Sequence, residues 1–215
     1  MPSSDADATK LRELKQFNGL LSNRVYASMK AAILSLDFPP GAVLRKGPIC
    51  QRLGISRTPV SDAILKLETE GLVEVVPQSA TRVSRMSMTE IREDAFLREA
   101  LEVAAVAYAA EHRNDELIAR LSRNLRMQQL QIEDGDFEEF HKTDQEFHRL
   151  IHDCCKIARL QDTIRFVSNH VDRARLLLLP EPGRVTDTLS EHQQVFDAVR
   201  AGDSDAARVA MQTHV

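Results

Sequence analysis

Gly54-Ile-Ser-Arg-Thr-Pro-Val-Ser-Asp-Ala-Ile-Leu-Lys-Leu-Glu-Thr-Glu-Gly-Leu-Val-Glu-Val-Val76 reads as a tight turn, a short helix and the first strand of a hairpin. Gly54 permits the turn. Ser56 is a good N-cap, and Pro59 suits a first helical turn, where a missing N–H costs nothing. Val60, Ile64 and Leu67 recur at helical spacing, which predicts one buried face. Gly71 supplies the left-handed position that ends a helix. Arg57 and Thr58 remain at the exposed N-terminal end, the part of a recognition helix that meets base edges and phosphates.

The flanking residues extend this pattern. Val25, Met29, Ile33 and Leu36 mark a first amphipathic helix, which Phe38-Pro39-Pro40-Gly41 closes with a turn. Pro48 to Leu53 is a short second helix. Beyond Gly71, Val73–Val76 and Thr81–Ser84 are short strands joined by Pro77-Gln78-Ser79-Ala80. Three helices followed by a hairpin predict a winged helix-turn-helix. The DNA-facing candidates are Arg45, Lys46, Ser56, Arg57, Thr58, Pro59 and Ser61, with Ser79, Ala80 and Arg82 on the wing.

Charge is divided in the same way. Residues 10–85 carry 12 Lys/Arg against 6 Asp/Glu, a net of +6, while residues 86–215 carry 16 against 24, a net of −8. A basic first module and an acidic second one imply that only the first meets a polyanion. With no Trp and two Tyr, stacking on single strands is a poor expectation. Three cysteines, Cys50 and the adjacent Cys154 and Cys155, form no disulfide framework and read as small buried hydrophobes in a reducing cytoplasm. No apolar run reaches spanning length, and the start of the chain has no apolar signal core. The expected location is therefore the cytoplasm, away from the membrane.

From Met88 onward the helical period persists. The expected helices run to about Glu111, from Asn114-Asp115 to about Glu133, from Phe137 to about Cys155, from Ala158 to about Leu178, over roughly Thr186–Arg200, and from Ser204 onward. Asp134-Gly135-Asp136, Pro180-Glu181-Pro182-Gly183 and Ala201-Gly202-Asp203 separate them. The fold class is thus mainly α, a winged helix-turn-helix followed by an all-helical antiparallel bundle. Residues 1–16 are expected to be a disordered or extended arm, 17–84 the winged helix, 85–90 a linker and 91–215 the helical domain, to which the resemblance given below assigns effector binding and dimerisation.

On the third bundle helix, Phe140, Asp144, Phe147, His148, Ile151 and Cys155 share one face. A carboxylate on an apolar face is costly unless it is paired or coordinates a metal. His192 lies with Val195, Phe196 and Val199, and His214 with Ala207, Ala210 and Met211. Such histidines can be hydrogen-bonded core residues or, taken together with Asp144, a metal site. His141 and His152 fall at the edge of the buried face and His112 near a helix end, where solvated or capping roles are expected. His170 lies near Asn169 and Arg173, which could line the far wall of a pocket.

The spelling carries a resemblance. Pro-Pro-Gly-Ala-Val-Leu at 39–44, Leu-Gly-Ile-Ser-Arg-Thr-Pro-Val at 53–60 and Leu-Glu-Thr-Glu-Gly-Leu-Val at 67–73 resemble the DNA-binding domain of GntR-type bacterial transcription regulators. Two positions depart from it: Ser61-Asp62 stands where Arg-Glu is usual, and Ala80 replaces a wing-tip glycine. Asp144-Gln-Glu-Phe-His148, Glu191-His192-Gln-Gln-Val-Phe, Gly202-Asp203 and Met211-Gln-Thr-His214 resemble the helical effector domain of the FadR subgroup, in its FCD branch.

That resemblance implies a divalent metal held by Asp144, His148, His192 and His214. Zinc is the first expectation, with nickel, manganese or iron chemically admissible. It also implies a ligand-facing arginine, Arg98 of Arg98-Glu-Ala-Leu-Glu102, although a plain salt bridge to Glu102 one turn away fits the same spacing. The expected function is a homodimeric, non-enzymatic regulator, by default a repressor, on a pseudo-palindromic double-stranded operator. A small carboxylic acid at the metal would control it. Two other classes stay open: a sensor whose signal is the ion itself, and a metal-dependent enzyme, which turnover would reveal.

Overall fold

A computed structural model of the chain describes residues 5–76, 79–178 and 183–215, with backbone alone over 175–178. It divides into two compact units, with the boundary along the sequence between Met88 and Thr89.

The first unit is built on α1 (Leu21–Leu34), α2 (Lys46–Leu53) and α3 (Arg57–Thr69), followed by β1 (Val73–Val76) and β2 (Ala80–Val83). Val25, Met29, Ile33, Ile49, Val60, Ile64 and Leu67 close one core with Phe38, Leu72 and Val83. Gly54, at φ 66°, makes the turn from α2 to α3, and Gly71, at φ 69°, ends α3. The strands are antiparallel with Val73 opposite Val83 and Val76 opposite Ala80, one residue earlier on the second strand than its spelling suggests. Leu44 N–H donates to Thr81 O and Val83 N–H to Ala42 O, so residues 42–44 extend the hairpin. Pro77 and Gln78 of the expected wing turn lie outside the described residues.

Two expectations are corrected here. Leu36 is not part of α1: the helix stops at Leu34 and Leu36 takes φ 63°. Phe38 then becomes the buried residue, and its N–H bonds back to Ala32 O at 2.8 Å. Nor is the arm loose over its described part. Leu11 is 1% exposed. Ala6 N–H donates to Val43 O, and Arg52 and Ser28 donate to the carbonyls of Leu11 and Arg12. A polar composition hid one apolar anchor with three backbone attachments.

The second unit contains α4 (Met88–Glu111), α5 (Asp115–Asp134), α6 (Phe137–Cys154), α7 (Ala158–Leu178), α8 (Arg184–Ala201) and α9 (Ser204–His214). The segment expected as linker already contains the start of α4. Asn114, Asp136 and Asp203 cap α5, α6 and α9, each accepting from a backbone N–H in the first turn. Val106, Ala109, Leu121, Phe147, Ile151, Val195, Val199 and Met211 form a core contributed by α4, α5, α6, α8 and α9. The break at 179–182 lies outside the described residues.

Candidate metal centre and nucleic-acid interface

Helical spacing brings Asp144 and His148 to one face of α6, while α8 and α9 carry His192 and His214 toward it. The four side chains are buried, and their ligand atoms lie within 4.8 Å of one another. His214 Nε2 is 3.0 Å from His148 Nε2 and 3.1 Å from His192 Nε2; His192 Nε2 is 3.5 Å from Asp144 Oδ1. Phe147 stacks on the His192 ring with centroids 4.1 Å apart.

The other ring nitrogens fix the tautomers. Asn124 Nδ2 donates to the Thr143 carbonyl at 2.9 Å, so Asn124 Oδ1 accepts from Gln128 Nε2 at 2.7 Å. Gln128 Oε1 is thereby turned to His192 Nδ1 at 2.9 Å, which must be the donor. His148 Nδ1 faces Glu102 Oε2 at 3.2 Å, and His214 Nδ1 faces Glu191 Oε2 at 2.9 Å. All three imidazoles therefore carry hydrogen on Nδ1 and turn Nε2 to a common point, where the neutral ring offers a lone pair. A tetrahedral ion with nitrogen ligands at about 2.0–2.1 Å would set them about 3.3 Å apart, an octahedral one about 2.9 Å. The donor set fits a divalent metal.

Glu102 is 0% exposed. Burial alone would raise its pKa, but the charges and hydrogen bonds of His148 and His152 hold it well below the ordinary carboxylate range. His152 is therefore not an edge residue: α4 covers that edge, and His152 Nε2 lies 2.7 Å from Glu102 Oε2. Arg98 makes the suspected salt bridge, Nε to Glu102 Oε1 at 3.4 Å, and its Nη1 is 4.0 Å from Asp172 Oδ1. Burial works against its charge, but Glu102, Asp172 and Asp144 more than offset that and raise its pKa. Among the described residues, Arg98 Nη1 has no hydrogen-bond partner.

A cavity of about 260 Å³ reaches Asp144 and His214 and is walled by His141, Arg184 and Thr188 among others. Its α7 wall is Val171 and Ala174; Asn169 and Arg173 lie instead on the buried face of α7, at 2% and 0% exposure. Burial pushes the Arg173 guanidinium pKa down. His170 pairs with Asp94 at 2.9 Å, and His112 stacks on Tyr108 in the open.

In the first unit, Ser56, Arg57 and Thr58 stand exposed at the start of α3, with Pro59 and Ser61 half-buried behind them. Ser56 occupies the N-cap position without a side-chain capping bond. Lys46 donates to Ser61 Oγ at 2.9 Å, and Arg45 pairs with Asp5 at 2.7 Å. Ser79, Ala80 and Arg82 line a cleft of about 590 Å³ with Arg45 and Asp5.

Comparison with known proteins supplies the family. The model for bacterial regulatory proteins of the gntR family matches residues 21–83, and that for the FCD domain matches residues 95–215. The chain belongs to the gntR family, with an FCD domain. It is 33% identical to an uncharacterised HTH-type transcriptional regulator in unstable DNA locus from Streptomyces ambofaciens, over 94% of this chain and 85% of that protein. It is 29% identical to the HTH-type transcriptional repressor RspR of Escherichia coli K12, over 91% of this chain and 86% of that one. The solved structure of E. coli McbR/YncC shares the fold, with TM-score 0.80 at 23% identity over 91% of this chain and 95% of that one. This gntR-family protein is a DNA-binding transcriptional regulator, not an enzyme. Among the described residues, no helix is long and apolar enough to cross a membrane.

Sequence reading missed Gln128, Asn124 and Glu191, and it weighed Glu102 as a salt-bridge partner of Arg98 without its histidine contacts. A signal existed for two of them. Asn124 and Gln128 are one turn apart on the α5 face that carries Leu117, Leu121 and Leu125, where polar groups need partners.

Proposed function

We propose that this regulator is a cytoplasmic, homodimeric repressor whose affinity for a pseudo-palindromic operator is set by a small carboxylic acid. The acid would bind at a divalent metal held by Asp144, His148, His192 and His214. The observation that carries the metal is the convergence of three Nε2 atoms and the Asp144 carboxylate on one point, with each imidazole held from behind through Nδ1. Neutral imidazoles held this way repel one another unless a proton or a metal ion lies between them, and with a metal ion they are a ligand set. A bound ion would supply Lewis acidity and open coordination positions for a carboxylate. Zinc is the expected ion, with nickel, manganese or iron as alternatives on the same donors.

Arg98 favours the organic acid over the ion alone as signal. It is a buried guanidinium close enough to feel the Asp144 charge, with an Nη1 short of an acceptor among the described residues. A free carboxylate meets that need, and a bare ion does not. The names of relatives such as RspR and NanR support the repressor reading. Arg57 and Thr58 would meet bases and phosphates, flanked by Arg45, Lys46 and the wing. An acid alters operator affinity only by binding the two domain arrangements unequally.

The test is metal analysis of the purified chain, followed by titration with a panel of small carboxylic acids and an operator-binding assay. One ion per chain, lost in Asp144→Ala, with one acid that releases DNA and is recovered unchanged, supports the reading. DNA affinity that tracks metal concentration without any acid would replace it with an ion sensor.

A further inference from the structure

The geometry points to Glu102 as a positioning residue that couples the metal ligand His148 to the acid-binding Arg98. This rests on the reading above, which assigns metal to His148 and acid to Arg98 but gives no link between them. One fully buried carboxylate touches both. Oε1 accepts from Arg98 Nε at 3.4 Å, and Oε2 faces His148 Nδ1 at 3.2 Å and His152 Nε2 at 2.7 Å. The bond to Arg98 is the longest of the three. His152 lies outside the converging ligand set, so its 2.7 Å contact serves to hold Glu102.

Competition for this carboxylate gives the coupling a sign. When His148 ligates through Nε2, its ring loses electron density and its Nδ1–H becomes a stronger donor. Glu102 is drawn toward His148 and away from Arg98, so the 3.4 Å bond weakens. The guanidinium then has a second N–H to offer an incoming carboxylate, beside Nη1. By linkage, acid on Arg98 strengthens the hold of Glu102 on His148 by the same factor. Glu102, His148 and His152 also have the makings of a second cation site. Such an ion would need both nitrogens of His148 at once, hence a deprotonated imidazole, which favours the positioning role.

Zinc is the probe, applied to the full chain with ¹⁵N-labelled arginine; the Arg98 Nε–H resonance is identified by its loss in Arg98→Lys. Zinc added to one equivalent should shift that resonance in the unmodified protein. In Glu102→Gln the resonance should no longer respond, while zinc still binds on the order of 10–100-fold more weakly. His152→Gln, which keeps a donor, should weaken zinc less. The inference is overturned if zinc binds at one per chain and the Arg98 resonance stays still, if Glu102→Gln matches the unmodified protein, or if two ions bind per chain. No zinc binding at all would remove the metal reading along with it. If Glu102→Gln does not fold, the resonance of the unmodified protein decides alone.

Discussion

The two units use polar residues in opposite ways. Around α3 the candidate contacts Arg57 and Thr58 are exposed and await a partner that is not part of the chain. In the helical unit Asp144, His148, His192 and His214 are buried, and each histidine is held from behind by Glu102, Gln128 or Glu191. Water satisfies an exposed arginine at no structural cost, so its role leaves no mark on its surroundings. A buried imidazole must have both nitrogens satisfied, so its surroundings record what it is for.

Four measurements would break or sharpen this contrast. The largest effect is expected in the first unit but away from its exposed face. Leu11→Ala should cost about 2–4 kcal/mol in urea unfolding, as for other fully buried leucines; a change under about 0.5 kcal/mol would mean that the arm is a passenger. Next, Gln128→Leu removes the acceptor that sets the His192 tautomer. Zinc affinity should fall about 10–100-fold in a competition titration, with operator affinity of the apo chain unchanged. Unaltered zinc binding would show that the buried network only fills space.

Arg57→Ala tests the exposed side. Operator affinity by fluorescence anisotropy should drop about tenfold, with zinc content and unfolding midpoint untouched; a fall in stability would place Arg57 in the fold rather than at the DNA. The smallest effect is expected for Asp5→Asn, which releases Arg45 from an exposed ion pair. DNA affinity should rise by at most about threefold at low salt and the gain should vanish at high salt. A larger, salt-independent change would show that the arm itself contacts DNA.

Much of the site could be read before the fold was known. The α6 face with Asp144 and His148, and the faces with His192 and His214, follow from a 3.6-residue period alone. His152 was misplaced because its position on that wheel is an edge, and only the packing of α4 buries it. Glu102 was visible as a carboxylate in an alanine-rich helix, but its partners lie 46 and 50 residues away. Gln128 and Asn124 were unseen because a neutral amide on a helix carries no mark of the histidine it will meet.

By itself the sequence determined which segments are helical, where glycines turn the chain, which unit is basic, and which side chains fall on buried faces. These follow from local periodicity, capping and backbone preference, each a property of a few neighbouring residues. The tertiary structure decided that the described arm is anchored at Leu11, that three imidazoles turn the same nitrogen to one point, and that Glu102 joins Arg98 to His148. Those are matters of which faces meet across the bundle, at what depth and in what tautomer. No local pattern carries them, because a hydrogen bond between helices depends on both partners at once.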